Sequence, residues 1–372
     1  MSEIGKAGRV MLIVLSLVVG CIVVALGILL VLSPGHPSPL RDKSGKVLAA
    51  SISEKVHVEI NGSQQGMFIK SSNPSNPVLL FLHGGMGMPE YFLSMKYPTG
   101  LEDYMTVVWW DRRGAGLSYD PGAPPDTLSI EQYVADTLAV TNHLRARFHK
   151  DKIYLMAHSG GTLIGLQAAA QAPELYHAYI GVGQMTHQLK SEVLAYEYML
   201  SRYREAGNVS MVRQLQAAPP TMTAPLPAAY MRLRDKAMHE LGVGTTRDMK
   251  SVMTGVFLAS WLCPDYTLME KLNIWRGKFS SDARLWDKVI AMDLTKMITT
   301  LDVPTYFFHG KYDYTVSYPE TKAYLGLLRV TVKGFYTFDQ SAHSPMFEEP
   351  SKVREIMAND VFTGTNALAD RL

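Results

Sequence analysis

Hydrophobic positions fall into three regimes along the chain. Residues 10–33 carry no charge and are dominated by Val, Leu and Ile; a helix of that length spans about 36 Å. From residue 51 to 184, short apolar runs alternate with stretches of helical period. Strands are predicted near 55–60, 66–70, 77–82, 105–110, 152–158 and 176–183, with helices over 129–148 and 160–172. Between 185 and 299 the strand signal vanishes and helical stretches rich in Met, Tyr and Leu take over. After residue 300 the alternation resumes, with strands near 303–309 and 334–338 and helices over 318–328 and 351–359. This pattern predicts an α/β protein: a mostly parallel eight-stranded sheet covered by helices on both faces, interrupted by a helical cap. The expected organisation is an N-terminal flank (1–9), a transmembrane helix (10–33), a linker (34–50), a first core segment (51–184), the cap (185–299) and a second core segment (300–372).

The apolar N-terminal run exceeds the core of a cleaved signal peptide, and no small-x-small cleavage site follows before Pro34. Val18-Val-Gly-Cys21 has the form of a lipoprotein box, but the apolar run continues past it to Leu32. A single-pass anchor in the lipid bilayer is therefore expected. Lys6 and Arg9 flank one end, and Arg41, Lys43 and Lys46 the other, so charge leaves the orientation open. The expectation is a signal-anchor in the cell membrane with the folded body outside. Pro34 to Gly45 is polar and Pro-rich and reads as a short, stiff tether.

The run Lys152-Ile-Tyr-Leu-Met-Ala-His-Ser-Gly-Gly-Thr162 carries candidate chemistry. An apolar strand leads straight into Ser159, then into a helix-compatible stretch. This is the form of a nucleophile elbow, whose strained turn lifts a serine hydroxyl above the sheet edge. Residues two before and two after must be small, and Ala157 and Gly161 are. A serine needs an imidazole to take its proton and an acid to orient that imidazole. Along the chain the order should be serine, acid, histidine. Asp313 follows the strand ending at His309, and His343 follows the strand ending at Phe338, so both fall in loops at the same sheet edge. Asp339 is the rival acid, but it sits on the strand that delivers the histidine.

Acyl transfer builds negative charge on a carbonyl oxygen, which two backbone N–H groups must meet. One is expected from Gly160. The other is expected from Gly85, in the loop His83-Gly-Gly-Met-Gly-Met-Pro89 that ends an early strand. Gly114-Ala-Gly116 lacks the third glycine and the following helix of a dinucleotide loop.

Together, His83-Gly-Gly-Met-Gly, Asp111-Arg-Arg-Gly-Ala-Gly-Leu-Ser118, the Ser159 elbow and the Asp313 and His343 loops resemble an α/β-hydrolase. Ile180-Gly-Val-Gly-Gln184, Phe307 to Tyr314 and Ser341 to Pro350 are similar to the proline iminopeptidase-like members. The family usually has proline where this chain has Met86, and tryptophan where it has Gly160. The resemblance implies a serine hydrolase with Ser159, Asp313 and His343 as its triad, and a small peptide, amide or ester as substrate. A proline iminopeptidase-like aminopeptidase is the first reading; a carboxylesterase on small or lipophilic esters and a non-catalytic, membrane-tethered binding protein are the alternatives. An aminopeptidase must also neutralise its substrate's α-amine, for which Glu192 and Glu197 in the cap are candidates.

A net charge of +2 without a basic cluster argues against nucleic acid as partner. No His-Glu-x-x-His or paired cysteines suggest a metal, and no cofactor is expected. Cys21 and Cys263 are not expected to pair.

Overall fold

A computed structural model describes residues 5–42 and 44–372. The first four residues of the predicted N-terminal flank, and Lys43 of the predicted linker, lie outside the described residues. Helix α1 (Lys6–Val31) precedes the folded body. Its stretch Gly8–Val31 buries nothing against the rest of the chain and is long and apolar enough to cross a membrane, a test that an N-terminal signal sequence also passes.

The body is built on eight strands: β1 (Ile52–Ile60), β2 (Ser63–Ser71), β3 (Val78–Leu82), β4 (Thr106–Trp110), β5 (Ile153–His158), β6 (Tyr176–Val182), β7 (Thr305–Gly310) and β8 (Lys333–Phe338). They lie in the order β1-β2-β4-β3-β5-β6-β7-β8. The pairings of β2 with β1 and β4 are antiparallel and all others are parallel. The continuous apolar runs of β3, β4 and β5 are buried along their whole length, as strands covered on both faces must be. Helices α2 (Ile130–Phe148) and α3 (Gly160–Gln171) pack into one of two large cores. The β7 strand begins two residues later than the hydrophobic pattern suggests: the Pro304 carbonyl accepts the Tyr179 N–H of β6 at 2.9 Å, but proline has no N–H to donate, and the regular ladder starts at Thr305.

Between β6 and β7 the chain runs through α4 (Gln188–Glu205), α5 (Val209–Gln216), α6 (Ala228–Glu240), α7 (Leu258–Leu262, preceded by a π-helical turn from Met253 to Phe257) and α8 (Leu268–Ala291). Helices α4, α5 and α6 share an apolar cluster around Met199, Tyr203, Tyr230 and Met238, whereas Val256, Ala259 and Ile274 join a core of the body. Helix α9 (Tyr318–Leu327) and α10 (Pro350–Ile356) then return to the sheet.

The residues after α1, expected from their composition to form a short, stiff tether, are bonded to the body. The Pro34 backbone bridges Thr267, and the Gly35 N–H donates to the Pro264 carbonyl at 3.0 Å. The Ser38 hydroxyl donates to Asp265 at 3.0 Å, and Lys70 Nζ to the Ser38 carbonyl at 2.6 Å. Asp265 is fully buried, and a buried carboxylate needs such donors. The linker supplies them and is thereby held on the body.

Candidate active site

The site begins at the end of β5. Ser159 takes φ 50° and ψ −125°, a conformation that L residues rarely adopt, and α3 starts at the next residue. A serine serving only as a helix cap would accept a hydrogen bond from an N–H of the first turn. Ser159 stands at the cap position, and its side chain makes no capping bond. The demand for small neighbours is met closely: a Cβ at Gly161 would lie 2.5 Å from the His83 carbonyl oxygen and 2.6 Å from that of Leu82.

Asp313 and His343 come from loops beyond β7 and β8 and meet at the same sheet edge. His343 Nδ1 donates to Asp313 Oδ2 at 2.8 Å, while Asp313 Oδ1 accepts the Thr315 and Val316 N–H groups, each at 2.9 Å. With Nδ1 so engaged, His343 Nε2 is the ring's free acceptor, and it is buried without a hydrogen-bond partner. Burial disfavours the Asp313 carboxylate, but the two neighbouring histidines and its hydrogen bonds hold it well below the usual carboxylate range. Burial, helped by His158 and His309, holds the His343 pKa below its ordinary value against the pull of Asp313. The ring is thus neutral at pH 7, the form that can accept a proton. Asp339 is exposed and pairs with Lys311, so it is no rival to Asp313.

The glycine loop after β3 faces Ser159. His83 Nε2 accepts the Arg112 N–H at 3.3 Å, so Nδ1 carries the proton and donates to the Gly84 carbonyl at 2.8 Å. In a trans peptide, the Gly85 N–H points opposite to that carbonyl. Gly85 itself has φ +57°, and its own carbonyl is held by Arg112 Nη2 at 2.7 Å. Gly84, Gly85, Ser159 and His343 line one cavity of about 210 Å³. Its other walls include Met88, Leu93, Met238, Val256 and Trp275, which make it largely apolar.

Three residues at the site carry no motif that singles them out. Glu90 Oε1 accepts the Gly84 N–H at 2.9 Å and lies 2.8 Å from His158 Nδ1. His158 Nε2 donates to the His343 carbonyl at 3.0 Å. Carbonyl and carboxylate both accept, so His158 donates from both nitrogens and forms a buried ion pair with Glu90. Burial works against that charge, but Glu90 and the His343 carbonyl outweigh it and raise the His158 pKa. The rings of His158 and His343 are 4.8 Å apart. His309 Nε2 lies 3.2 Å from Asp313 Oδ2, the same oxygen that His343 engages. His158 adjoins Ser159 in sequence, which was the only available hint.

The two cap carboxylates expected to meet an amine are elsewhere. Glu192 is fully buried in a pair with Arg234 Nε at 2.6 Å and also accepts from the Tyr230 hydroxyl at 2.9 Å. Its charge is already neutralised inside the cap, so it has none to offer a substrate. Glu197 is exposed and lines a different cavity, beside Tyr198 and Lys311.

Residues 77–350 match the family model described as serine aminopeptidase, S33. The chain belongs to the serine aminopeptidase S33 family. This S33 member is 31% identical over 303 residues to the probable aminopeptidase YbaC of Bacillus subtilis (strain 168), across 81% of this chain and 94% of the relative. The proline iminopeptidase-related protein of Thermus thermophilus superimposes with a TM-score of 0.58 at 20% identity, over 82% of this chain and 98% of that one. The proline iminopeptidase of Mycobacterium smegmatis gives 0.55 at 14% identity, over 83% and 98%. The S33 chain is therefore an enzyme of the α/β-hydrolase fold, and a hydrolase of the serine aminopeptidase family.

Proposed function

We propose that this S33 hydrolase is membrane-anchored through α1 and works through an acyl-enzyme. Ser159 attacks an amide or ester carbonyl, and His343 Nε2 takes the hydroxyl proton and returns it to the leaving group. Asp313 keeps His343 in the tautomer with Nδ1–H and stabilises the imidazolium. The N–H groups of Gly160 and Gly85 hold the oxyanion, and water then releases the acid. The observation that carries this reading is the 2.8 Å Asp313–His343 bond, which leaves a neutral Nε2 free beside the cavity that Ser159 lines.

The substrate we infer first is a short peptide or amino-acid amide cleaved at its N-terminus, supported by the B. subtilis relative's name. The neutralisation of Glu192 by Arg234 favours a second reading, an esterase for small or lipophilic esters. Turnover of a proline arylamide against a short p-nitrophenyl ester separates the two: ester turnover alone removes the peptidase reading. A fluorophosphonate probe should label the folded chain and fail to label Ser159→Ala. Absence of labelling in the unsubstituted chain would leave a binding protein that retains the fold.

A further inference from the structure

Besides the contacts of Pro34, Gly35 and Ser38, one side chain fastens the end of α1 to the cap. Lys271 Nζ donates to the Leu32 carbonyl at 2.9 Å, to Ser33 Oγ at 2.8 Å and to the Trp261 carbonyl at 2.7 Å. A single ammonium thus joins the end of the apolar span to α7. Helix α7 and its preceding turn, Met253–Leu262, form a ten-residue apolar stretch, too short to cross a bilayer. Its outer face is uncovered: Met253 is 58% exposed, Leu258 44% and Leu262 60%. An aromatic row continues that face, with Trp261 5.9 Å from Phe257, Phe257 5.1 Å from Trp275, and Trp275 6.1 Å from Phe279, which is 65% exposed. Arg276, exposed and long enough to carry its charge to headgroup level, and Lys278, paired with Asp282 at 2.6 Å, border the row.

The turn before α7, together with α8, walls the catalytic cavity from the other side, whereas α7 itself contributes no lining residue. Val252, Val256, Trp275 and Lys278 all line the cavity of Ser159. The apolar surface, the exit of the span and the cavity wall are therefore parts of one short region.

We propose that Met253–Leu262 and Phe279 lie in the bilayer interface as a second, non-spanning membrane contact, and that the cavity takes acyl esters or amides that reside in the membrane. The proposal rests on the anchored-hydrolase reading above. The occupant follows from position: the patch adjoins the point where an apolar helix of bilayer-crossing length ends, and an apolar stretch flanked by Trp and basic residues suits the headgroup boundary.

The test uses the full chain in nanodiscs of phosphatidylcholine brominated on its acyl chains near the headgroup. Bromine should quench tryptophan emission, and Trp261→Phe should show a distinctly smaller quench. Equal quenching in both chains overturns the docking, and so does a patch found cross-linked to a second copy. A second measurement compares p-nitrophenyl palmitate dissolved in the vesicles with soluble p-nitrophenyl acetate. Leu258→Glu/Leu262→Glu should lose roughly tenfold on the membrane ester and stay within about twofold on the soluble one. An equal fall on both overturns entry from the membrane. An unsubstituted chain that cleaves neither ester refutes the hydrolase reading, while the quenching still decides the docking. A chain stripped from vesicles by carbonate refutes the anchor and the docking together.

Discussion

His343 donates its Nδ1 hydrogen bond to Asp313 Oδ2 across 2.8 Å, and the far oxygen of Asp313 is saturated by the Thr315 and Val316 N–H groups. The acid is thus fixed before the imidazole meets it. Asp313→Asn keeps the shape but can present its amide N–H to Nδ1, which favours the wrong tautomer. Turnover should fall by roughly 10⁴-fold with the melting temperature little changed, as steady-state kinetics and calorimetry will show.

Ser159 occupies its positive φ at a cost to stability. Glycine has no Cβ to strain there, although it loses more chain entropy on folding. Ser159→Gly should therefore be inactive and more stable by about 1 kcal/mol. Urea unfolding measures this. A less stable variant would mean that the turn is not strained.

The charged His158 ring helps to hold the His343 pKa down. His158→Gln can keep the bond to the His343 carbonyl and removes the cation. The acid limb of kcat/KM should then move to higher pH, because the base needs a higher pH to lose its proton. An unmoved limb, read from a pH–rate profile on an ester, would assign His158 a purely structural role.

Glu192→Ala should damage stability rather than substrate binding. It leaves the Arg234 guanidinium, whose side chain is only 7% exposed, with its 2.8 Å pair to the exposed Asp235 alone, at a cost of up to about 3 kcal/mol. KM for amine-bearing and amine-free substrates should change by the same factor. A selective rise for the amine-bearing substrate would restore Glu192 to the site.

Glu348 accepts the Arg247 N–H at 2.7 Å and the Ala342 N–H at 2.9 Å, next to His343. Burial lifts its pKa from 4.5 to about 7 in spite of these bonds. The folded chain therefore keeps a proton that the unfolded chain releases. Stability should fall as pH rises from about 4.5 to about 7 and level off above, by at most on the order of 3 kcal/mol. Glu348→Gln should flatten that part of a stability–pH curve.

Those features of the site that depend on local geometry were legible in the sequence. The strand-to-helix turn at Ser159 needs small residues at fixed spacing, and the positions of Asp313 and His343 follow from strands that end at one edge. Glu90 and His158 were not legible, because their pairing joins a loop after β3 to the end of β5 and no spacing encodes it. Glu192 misled for the same reason: a carboxylate on a helix looks available until the facing helix brings Arg234 against it. Composition alone left the linker's docking illegible, since a Pro-rich polar run suits a stiff tether and equally serves a segment bonded to a buried acid.

Two of the three bonds of Lys271 reach Leu32 and Ser33 and the third holds Trp261, which gives the span no slack where it meets the cap. A head on a loose string could sweep a hemisphere of surrounding fluid. On the anchored reading proposed above, one bolted to its own stalk surveys only the ring of lipid around it. On that reading its encounters are governed by lateral diffusion in two dimensions, and crowding within the sheet of lipid, rather than bulk concentration, sets how often the cavity is filled.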